Sequence, residues 1–113
     1  MTHWKIEHWH SENGKDSIEK WLDMLTKTQL KSVAKEISML GEAGNSLKLP
    51  HSKALGLGLF ELRERRFGYR IYFAFKDNAT IILLAGGNKK SQVNDIKIAR
   101  NRLQKIKREN HEN

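Results

Sequence analysis

Three strand-like segments follow one another between residues 59 and 85, and the short turns between them restrict the fold more than any other feature. Leu59 to Arg65 and Tyr69 to Phe75 alternate between apolar and polar side chains, whereas Thr80 to Ala85 is almost continuously apolar. Alternation is typical of a strand with one buried face, and a continuous apolar run is typical of a central strand buried on both faces. Turns are predicted at Phe67–Gly68 and Asp77–Asn78, so the three segments predict neighbouring antiparallel strands.

The segments on either side predict one more strand and three helices. His3 to His10 alternates roughly and predicts a first strand, which Asn13–Gly14 ends. Asp16 has the spacing of a capping residue for a first helix, and the apolar stripe of a second helix ends near Gly41 to Gly44. Ser91 to Glu109 carries a third stripe of helical period.

Two stretches are expected to be irregular. Residues 45–58 contain the single proline and are predicted as a loop, and Gly86–Gly87 is predicted to end the central strand. The resulting order, β-α-α-β-β-β-α, predicts an α+β fold with a mainly antiparallel sheet packed by helices. A length of 113 residues is that of one domain, so residues 1–113 are expected to form a single unit.

A net charge of +8 narrows the functional classes, because a solvated surface alone does not require such an excess. Residues 45–76 hold seven basic and two acidic residues, and residues 89–113 hold eight basic and three acidic ones. Residues 1–44 are close to neutral. The excess is therefore assigned to the sheet and the last helix, where clustered cations favour a polyanion such as nucleic acid.

Other classes of site and compartment are disfavoured. The absence of cysteine excludes disulfides and thiolate metal sites. His8 and His10 have the spacing to bind a metal from one strand face, but no third ligand is evident, so no metal and no cofactor are expected. No apolar run is long enough to span a bilayer and no signal-peptide pattern is present, so a cytoplasmic protein with no membrane partner is expected.

Two arginines on neighbouring predicted strands are the strongest indication of a site. Arg63 and Arg70 alternate with apolar residues and should project from the same face of the sheet, opposite the core. Like charges on adjacent strands cost stability unless an anion or a carboxylate lies between them. Glu61 is one such carboxylate, and a phosphate site is the alternative that we favour.

Five segments together carry a resemblance to a known family. They are Ile18–Leu22, Leu49–Lys53, Gly58–Arg63, Gly68–Phe73 and Ile82–Gln92. Their order and spacing resemble the RelE/ParE toxin superfamily, and most closely its HigB-like branch of phage-related addiction module killer proteins. The resemblance covers roughly residues 4–106, and the predicted order of strands and helices is also the layout of that family.

The resemblance implies a toxin of a type II toxin–antitoxin system that acts as a ribosome-dependent mRNA endonuclease and inhibits translation. It implies three partners: the ribosome, its mRNA, and a cognate helix-turn-helix antitoxin encoded by an adjacent gene. Operator DNA would be contacted only through the complex with that antitoxin. ParE-type relatives share the fold and poison DNA gyrase, so a non-catalytic gyrase poison is one alternative and a plain RNA-binding module is another.

The resemblance also assigns roles to individual residues. Arg70 is the first candidate to hold the scissile phosphate, because its planar fork suits a bidentate contact, and Arg63 and Lys89 are expected to stabilise the transition state. Arg102 has no such match, and from its place in the basic last helix it is expected only to steer RNA by its charge. Seven further residues are expected to contact RNA: Lys48, His51, Lys53, Arg65, Arg66, Tyr72 and Lys90.

The proton-transfer groups are less well defined. Several relatives place a histidine or tyrosine near the C-terminus as a proton donor, whereas the predicted last helix has none before His111. Tyr72, on the predicted face of Arg70, and His51, in the basic loop, are candidates to replace it. Lys89 would serve only if neighbouring positive charge lowered its pKa. Glu61 is expected to orient an arginine rather than to act as a base.

Overall fold

The computed structural model describes residues 3–111, in which the chain forms five strands and three α-helices. In chain order they are β1 (Lys5–His8), α1 (Ser17–Asp23), α2 (Lys27–Ala43), β2 (Ser52–Gly56), β3 (Leu59–Glu64), β4 (Tyr69–Phe75), β5 (Thr80–Asn88) and α3 (Gln92–His111). Short 3-10 turns at Gly44–Ser46 and Lys89–Ser91 follow α2 and β5.

The strands form one mixed sheet in the order β1-β5-β4-β3-β2. β1 runs parallel to β5, and the other three pairings are antiparallel. The α+β class predicted from the sequence is confirmed. The sheet is mixed and not antiparallel throughout. α1 and α2 carry the chain from β1 at one edge of the sheet to β2 at the other, and β1 pairs in parallel with β5.

β2 is a strand that the sequence did not predict. Residues 45–58 were expected to be a loop, yet Ser52–Gly56 pairs with β3 at the edge of the sheet. Lys53 and Ala54 of this strand are both exposed, so the alternation of buried and exposed residues that identifies a half-buried strand is missing. The prediction of an entirely irregular segment was therefore wrong.

β5 also continues past the point at which it was predicted to end. Gly86 and Gly87 lie within the strand, which ends at Asn88. A Cβ atom on Gly86 would lie only 2.6 Å from the ring of Trp21, and one on Gly87 would collide with Asp95. The two glycines therefore permit close packing of β5 against α1 and α3. In the sequence, a glycine pair with this role cannot be distinguished from one that ends a strand.

Helices cover both faces of the sheet. α1 and α2 pack on one face in a cluster that includes buried Val33 and Phe73, and α3 packs on the other around Leu84 and Ala99. The prediction that Thr80 to Ala85 is buried on both faces is confirmed. The face that carries Arg63 and Arg70 is therefore partly covered by α3, whereas we had expected it to lie opposite a single core. Within residues 3–111, no helix is both long and apolar enough to cross a bilayer.

Asp16 caps the first helix, as its spacing predicted. Its Oδ1 accepts a hydrogen bond from the backbone N–H of Glu19, and its Oδ2 accepts one from His8 Nδ1 at 2.9 Å. Partial burial raises the pKa of Asp16, but the Glu19 N–H and His8 lower it by more, so the net shift is below the ordinary value of 3.8. The ionised cap therefore stabilises the fold.

We expect Asp16→Ala to lower the free energy of unfolding by about 1 kcal/mol, because one N–H at the helix start loses its acceptor. Asp16→Asn keeps a capping oxygen and should cost less at neutral pH. A carboxylate with a lowered folded pKa contributes stability that is present above its unfolded pKa and is lost as the pH falls through the folded value. The difference between wild type and Asp16→Asn should therefore shrink below pH 3.8 in urea titrations.

Candidate functional site

Arg63 and Arg70 lie directly opposite each other on β3 and β4. They are Cα partners in the antiparallel register, and Gly87 of β5 is the partner of Arg70 on its other side. The prediction that both arginines project from one face is confirmed by this pairing. Because Gly87 has no side chain, the two guanidinium groups occupy this row across three strands without a neighbour from β5.

Glu61 forms ion pairs with both arginines. Its carboxylate is 1% exposed, and Oε1 accepts hydrogen bonds from Arg63 Nε and Arg70 Nη1, each at 2.8 Å. Its second oxygen accepts from Gln92 Nε2 at 3.2 Å, which ties the group to the start of α3. The carboxylate offsets the repulsion of the two like charges on adjacent strands. Glu61 thus forms the ion pair that we expected in preference to a catalytic base.

A shallow pocket of about 250 Å³ opens beside the arginines, where β3 ends and β4 begins. The side chains of Arg63 and Arg70 are 31% and 20% exposed. Each gives one nitrogen to Glu61, and within residues 3–111 their remaining terminal nitrogens have no protein acceptor. Two arginines against one carboxylate leave a net positive charge. Arg63 keeps both terminal nitrogens as a donor pair suited to a phosphate, whereas Arg70 keeps Nη2 because its Nη1 binds Glu61 and its Nε is buried. The residues that line the pocket are Pro50, Arg63, Glu64, Arg65, Gly68, Tyr69 and Arg70.

Tyr72 does not reach this pocket. Its side chain is completely buried beneath α3, and within the described part of the chain its hydroxyl has no hydrogen-bond partner. Burial raises the pKa of Tyr72 well above the ordinary value of 10.0, and the charge of Glu61 raises it further. A buried phenol of this kind neither contacts RNA nor exchanges protons with it, so the role predicted for Tyr72 does not agree with the structure.

His51 is also turned away from the arginines. Its Nδ1 lies 3.3 Å from Glu36 Oε2 on α2, and it is not among the residues that line the pocket. Among the described residues that line the pocket, the one tyrosine or histidine is Tyr69, which is half-buried and packs edge-on against Trp21. The geometry therefore replaces Tyr72 and His51 with Tyr69 as the tyrosine or histidine beside the arginine pair.

The remaining predicted lysines are spread along the same side of the sheet and beyond it. Lys89 and Lys90 are exposed in the turn that follows Asn88, the partner of pocket residue Tyr69. Lys53 is exposed on edge strand β2, opposite Glu61. Lys48 lines a separate cavity of about 80 Å³ beside Phe60 and Phe75 and is not brought to the pocket.

Arg65 and Arg66 follow β3 in the turn to β4, and both are exposed. Arg65 lines the pocket beside Arg63 and Arg70, whereas Arg66 does not. The guanidinium of Arg66 lies over the ring of Phe67, 5.0 Å from its centroid. Arg65 therefore lies at the rim of the pocket, and Arg66 lies outside it.

Arg102 is a structural residue, not the free cation that we expected from its place in a basic helix. Its Nη1 donates a hydrogen bond of 2.6 Å to the carbonyl oxygen of Leu84, and its guanidinium lies 4.3 Å from the ring centroid of Trp9. Burial lowers the pKa of Arg102 from its ordinary value. The prediction that Arg102 acts only by steering RNA does not agree with these contacts.

His8 and His10 gain acidic neighbours in the fold that sequence spacing did not show. Asp16 Oδ2 lies 3.5 Å from His10 Nε2, and Glu19 Oε2 lies 3.9 Å from His8 Nδ1. His8, Asp16 and Glu19 thus place three ligand-type atoms within 4.8 Å of one another. Asp16 is already engaged by His8 and by the helix start, so hydrogen bonding alone explains the arrangement.

Gln92 is the site residue that sequence reasoning missed. Its amide holds the free oxygen of Glu61, although no charge or periodicity distinguishes it from other polar residues at the start of a helix. Its position directly after the basic turn at Lys89–Ser91 is the only available signal. The support of the arginine pair therefore depends on a contact between distant parts of the chain.

The residues of this pocket lie within the part of the chain that matches a known protein family. The sequence profile of a family described as "Phage derived protein Gp49-like" matches residues 20–109, which extend from α1 almost to the end of α3. An uncharacterized protein of Haemophilus influenzae is 32% identical over 85 residues, which cover 74% of this chain and 83% of that protein.

Proposed function

Because the chain belongs to the Gp49-like family of phage-derived proteins, we propose that it is the toxin of a toxin–antitoxin pair and cleaves mRNA on the ribosome without a metal. Family membership is consistent with a toxin–antitoxin toxin. The cleavage proposal rests on one observation: Arg63 and Arg70 lie side by side, both bound to one buried carboxylate, and both line a shallow pocket.

The pocket suits cleavage by the neighbouring 2′-hydroxyl of RNA. In that reaction the 2′-oxygen bonds to phosphorus, the bond from phosphorus to the 5′-oxygen breaks, and a 2′,3′-cyclic phosphate is left. The 2′-hydroxyl proton passes to a base, and the leaving 5′-oxygen receives a proton. Charge develops on the equatorial phosphate oxygens, which Arg70 would bind bidentately and Arg63 would contact from the neighbouring strand.

The protein supplies orientation more than acid–base chemistry. Glu61 fixes one nitrogen of each arginine, so the remaining donors are held in place before substrate arrives. Exposed Lys89, in the turn after β5, would add positive charge near the leaving group. A pocket with one phenol and no histidine among its lining residues is consistent with a need for the ribosome to help orient the RNA.

Two tyrosines allow the proton-transfer assignment to be tested. Tyr72→Phe should leave cleavage on purified ribosomes and thermal stability nearly unchanged, because the buried hydroxyl has no partner among the described residues. Tyr69→Phe should slow cleavage by about 10²-fold or more if its hydroxyl donates the proton, since general acid–base groups contribute about 10²–10⁴-fold. Loss of cleavage in Tyr72→Phe with full activity in Tyr69→Phe would reverse the assignment.

Pulse labelling after induced expression tests the proposed function in cells. We expect growth to arrest with protein synthesis stopping first, because cleaved messages block translation. DNA synthesis that stops first while protein synthesis continues would favour the gyrase poison. An RNA-binding module without catalysis would slow growth little and leave transcripts intact.

We propose that the partner is an antitoxin encoded by an adjacent gene, in keeping with the family, and that it covers the arginine pocket. Co-expression of the neighbouring open reading frame should restore growth. An acidic antitoxin surface would speed capture of a chain of charge +8 more than it would set the final affinity. Failure of both flanking genes to restore growth would contradict this pairing.

A further inference from the structure

A basic groove lies between α2 and the turn from β3 to β4, on the side of the sheet opposite α3. Its volume is about 960 Å³, much larger than that of the arginine pocket. We name it the α2 groove, and its lining residues are Lys27, Thr28, Lys31, Ser32, Lys35, Glu36, Glu64, Arg65 and Arg66. Five of these nine side chains are cations. Arg65 and Arg66 belong to the basic segment 45–76, whereas the three lysines lie in residues 1–44, to which no excess of charge was assigned.

Three of the cations form a regular row along one side of α2. Lys27, Lys31 and Lys35 are spaced four residues apart and are all exposed. A rise of 1.5 Å per residue places successive lysines about 6 Å apart along the helix. The row faces the arginines of the turn, so the groove carries positive charge on both walls.

The row does not serve the stability of the helix. Like charges at this spacing destabilise a helix, and a cation in its first turn opposes the helix dipole, as Lys27 does. Within residues 3–111, none of the three lysines forms an ion pair. A row that costs stability and has no internal partner is expected to meet an anion from outside.

The two acidic residues of the groove are engaged elsewhere. Glu64 is buried and accepts hydrogen bonds from the backbone N–H groups of Phe67 and Tyr69 and from the Ser32 hydroxyl. Glu36 lies against His51. Neither carboxylate neutralises the lysine row, so the walls of the groove keep their positive charge.

An exposed aromatic ring stands next to the groove. Phe67 is 37% exposed, and Arg66 lies over its ring. Cations that follow a backbone, with an aromatic ring beside them on which a base can stack, are typical of single-stranded nucleic acid sites. An acidic protein surface would use the lysines equally well but gives no reason for the exposed ring.

The α2 groove and the arginine pocket are contiguous, because Arg65 and Glu64 line both. We propose that the α2 groove binds the phosphate backbone of single-stranded RNA that flanks the phosphate held by Arg63 and Arg70. That this RNA continues from a cleaved phosphate rests on the proposed function, whereas RNA binding by the groove does not. The groove would thus extend the recognised length of substrate beyond the cleaved bond.

Salt dependence of RNA binding tests this assignment without cleavage. The probe is a short single-stranded RNA carrying 2′-O-methyl groups, which lacks the attacking hydroxyl, and binding is followed by fluorescence anisotropy from low to high salt. Each phosphate contact on a single strand contributes about −0.7 to the slope of log K against log salt. We expect the triple variant Lys27→Gln, Lys31→Gln, Lys35→Gln to reduce the slope by about 2 if all three lysines bind phosphates.

The matched control removes three exposed cations from α3, on the other face of the sheet, as Lys97→Gln, Lys105→Gln, Arg108→Gln. Both variants lose the same charge, but the control residues lie on the other face of the sheet and do not line the groove, so the control should keep a slope close to that of wild type. Equal slopes in the two variants would overturn the proposal, and so would a groove variant that binds RNA normally but loses its antitoxin. A reduced slope in a protein that never cleaves mRNA would support the groove while the cleavage proposal alone fails.

Discussion

Replacing Arg70 with lysine is expected to lower mRNA cleavage on purified ribosomes by about 10²-fold or more, and replacement with alanine by at least as much. Arg70 lines the pocket and donates to Glu61 through Nη1, whereas its Nε is buried without a partner among the described residues, so Nη2 and the second proton of Nη1 are its available donors. Lysine retains the charge but offers a point contact in place of a fork. If the arginine holds the scissile phosphate bidentately, charge alone does not preserve the rate.

Arg108→Lys is the matched control for this prediction. Arg108 is exposed near the end of α3 and makes no ion pair within the described residues, so its replacement should leave cleavage close to wild type. Arg102 is unsuitable as a control because it supports the fold through Leu84 and Trp9. Binding of Arg70→Ala to ribosomes should persist, since many other cations remain. Full cleavage by Arg70→Ala would remove Arg70 from the site.

Glu61→Gln is expected to have the largest effect on stability. Removing the charge leaves two arginines facing each other across β3 and β4 with no carboxylate between them. Breaking a fully buried ion pair costs about 3–5 kcal/mol, and water reaches both guanidinium groups here, so we expect a loss of about 2–3 kcal/mol in urea unfolding. Glu42→Gln, at an exposed position of α2, should change the unfolding free energy little.

The same variant separates a positioning residue from a catalytic base. If Glu61 only holds the arginines, Glu61→Gln should lower both stability and cleavage, while binding of uncleavable RNA is retained because the net positive charge rises. Unchanged stability with loss of cleavage alone would mean that Glu61 acts on the substrate and not through the arginines. That second result would contradict the ion-pair role that the geometry assigns to Glu61.

The strand face of the arginines was predictable because the signals for it are local. Alternation fixes which side chains share a face, and a short turn fixes two neighbouring strands as antiparallel. Arg63 and Arg70 therefore had to lie on one face wherever the rest of the chain went. The apolar run of β5 predicted its burial on both sides for the same reason.

Features that depend on long-range packing were not predictable in this way. Tyr72 shares the face of Arg70, but α3 covers it, and nothing near Tyr72 in sequence indicates where α3 lies. Edge strand β2 carries no alternation because it is exposed. Gln92 is recognisable as a site residue only once the start of α3 is placed over Glu61.

The lysine row of the α2 groove was missed for a different reason. Residues 1–44 are close to neutral when charges are summed along the chain, so no site was assigned there. The acids of this segment lie at other positions, and a spacing of four places Lys27, Lys31 and Lys35 together on the helix. A count resolved by helical face would have indicated this row, whereas its position opposite Arg65 and Arg66 required the fold.

Primer extension on transcripts from cells that express the chain tests the central claim most directly. Cleavage on the ribosome predicts new 5′ ends that appear within translated reading frames shortly after induction, disappear when translation of the message is prevented, and are absent with Arg70→Ala. Growth arrest with intact transcripts, or cuts that persist in untranslated RNA, would contradict the proposal that this protein is a ribosome-dependent mRNA endonuclease.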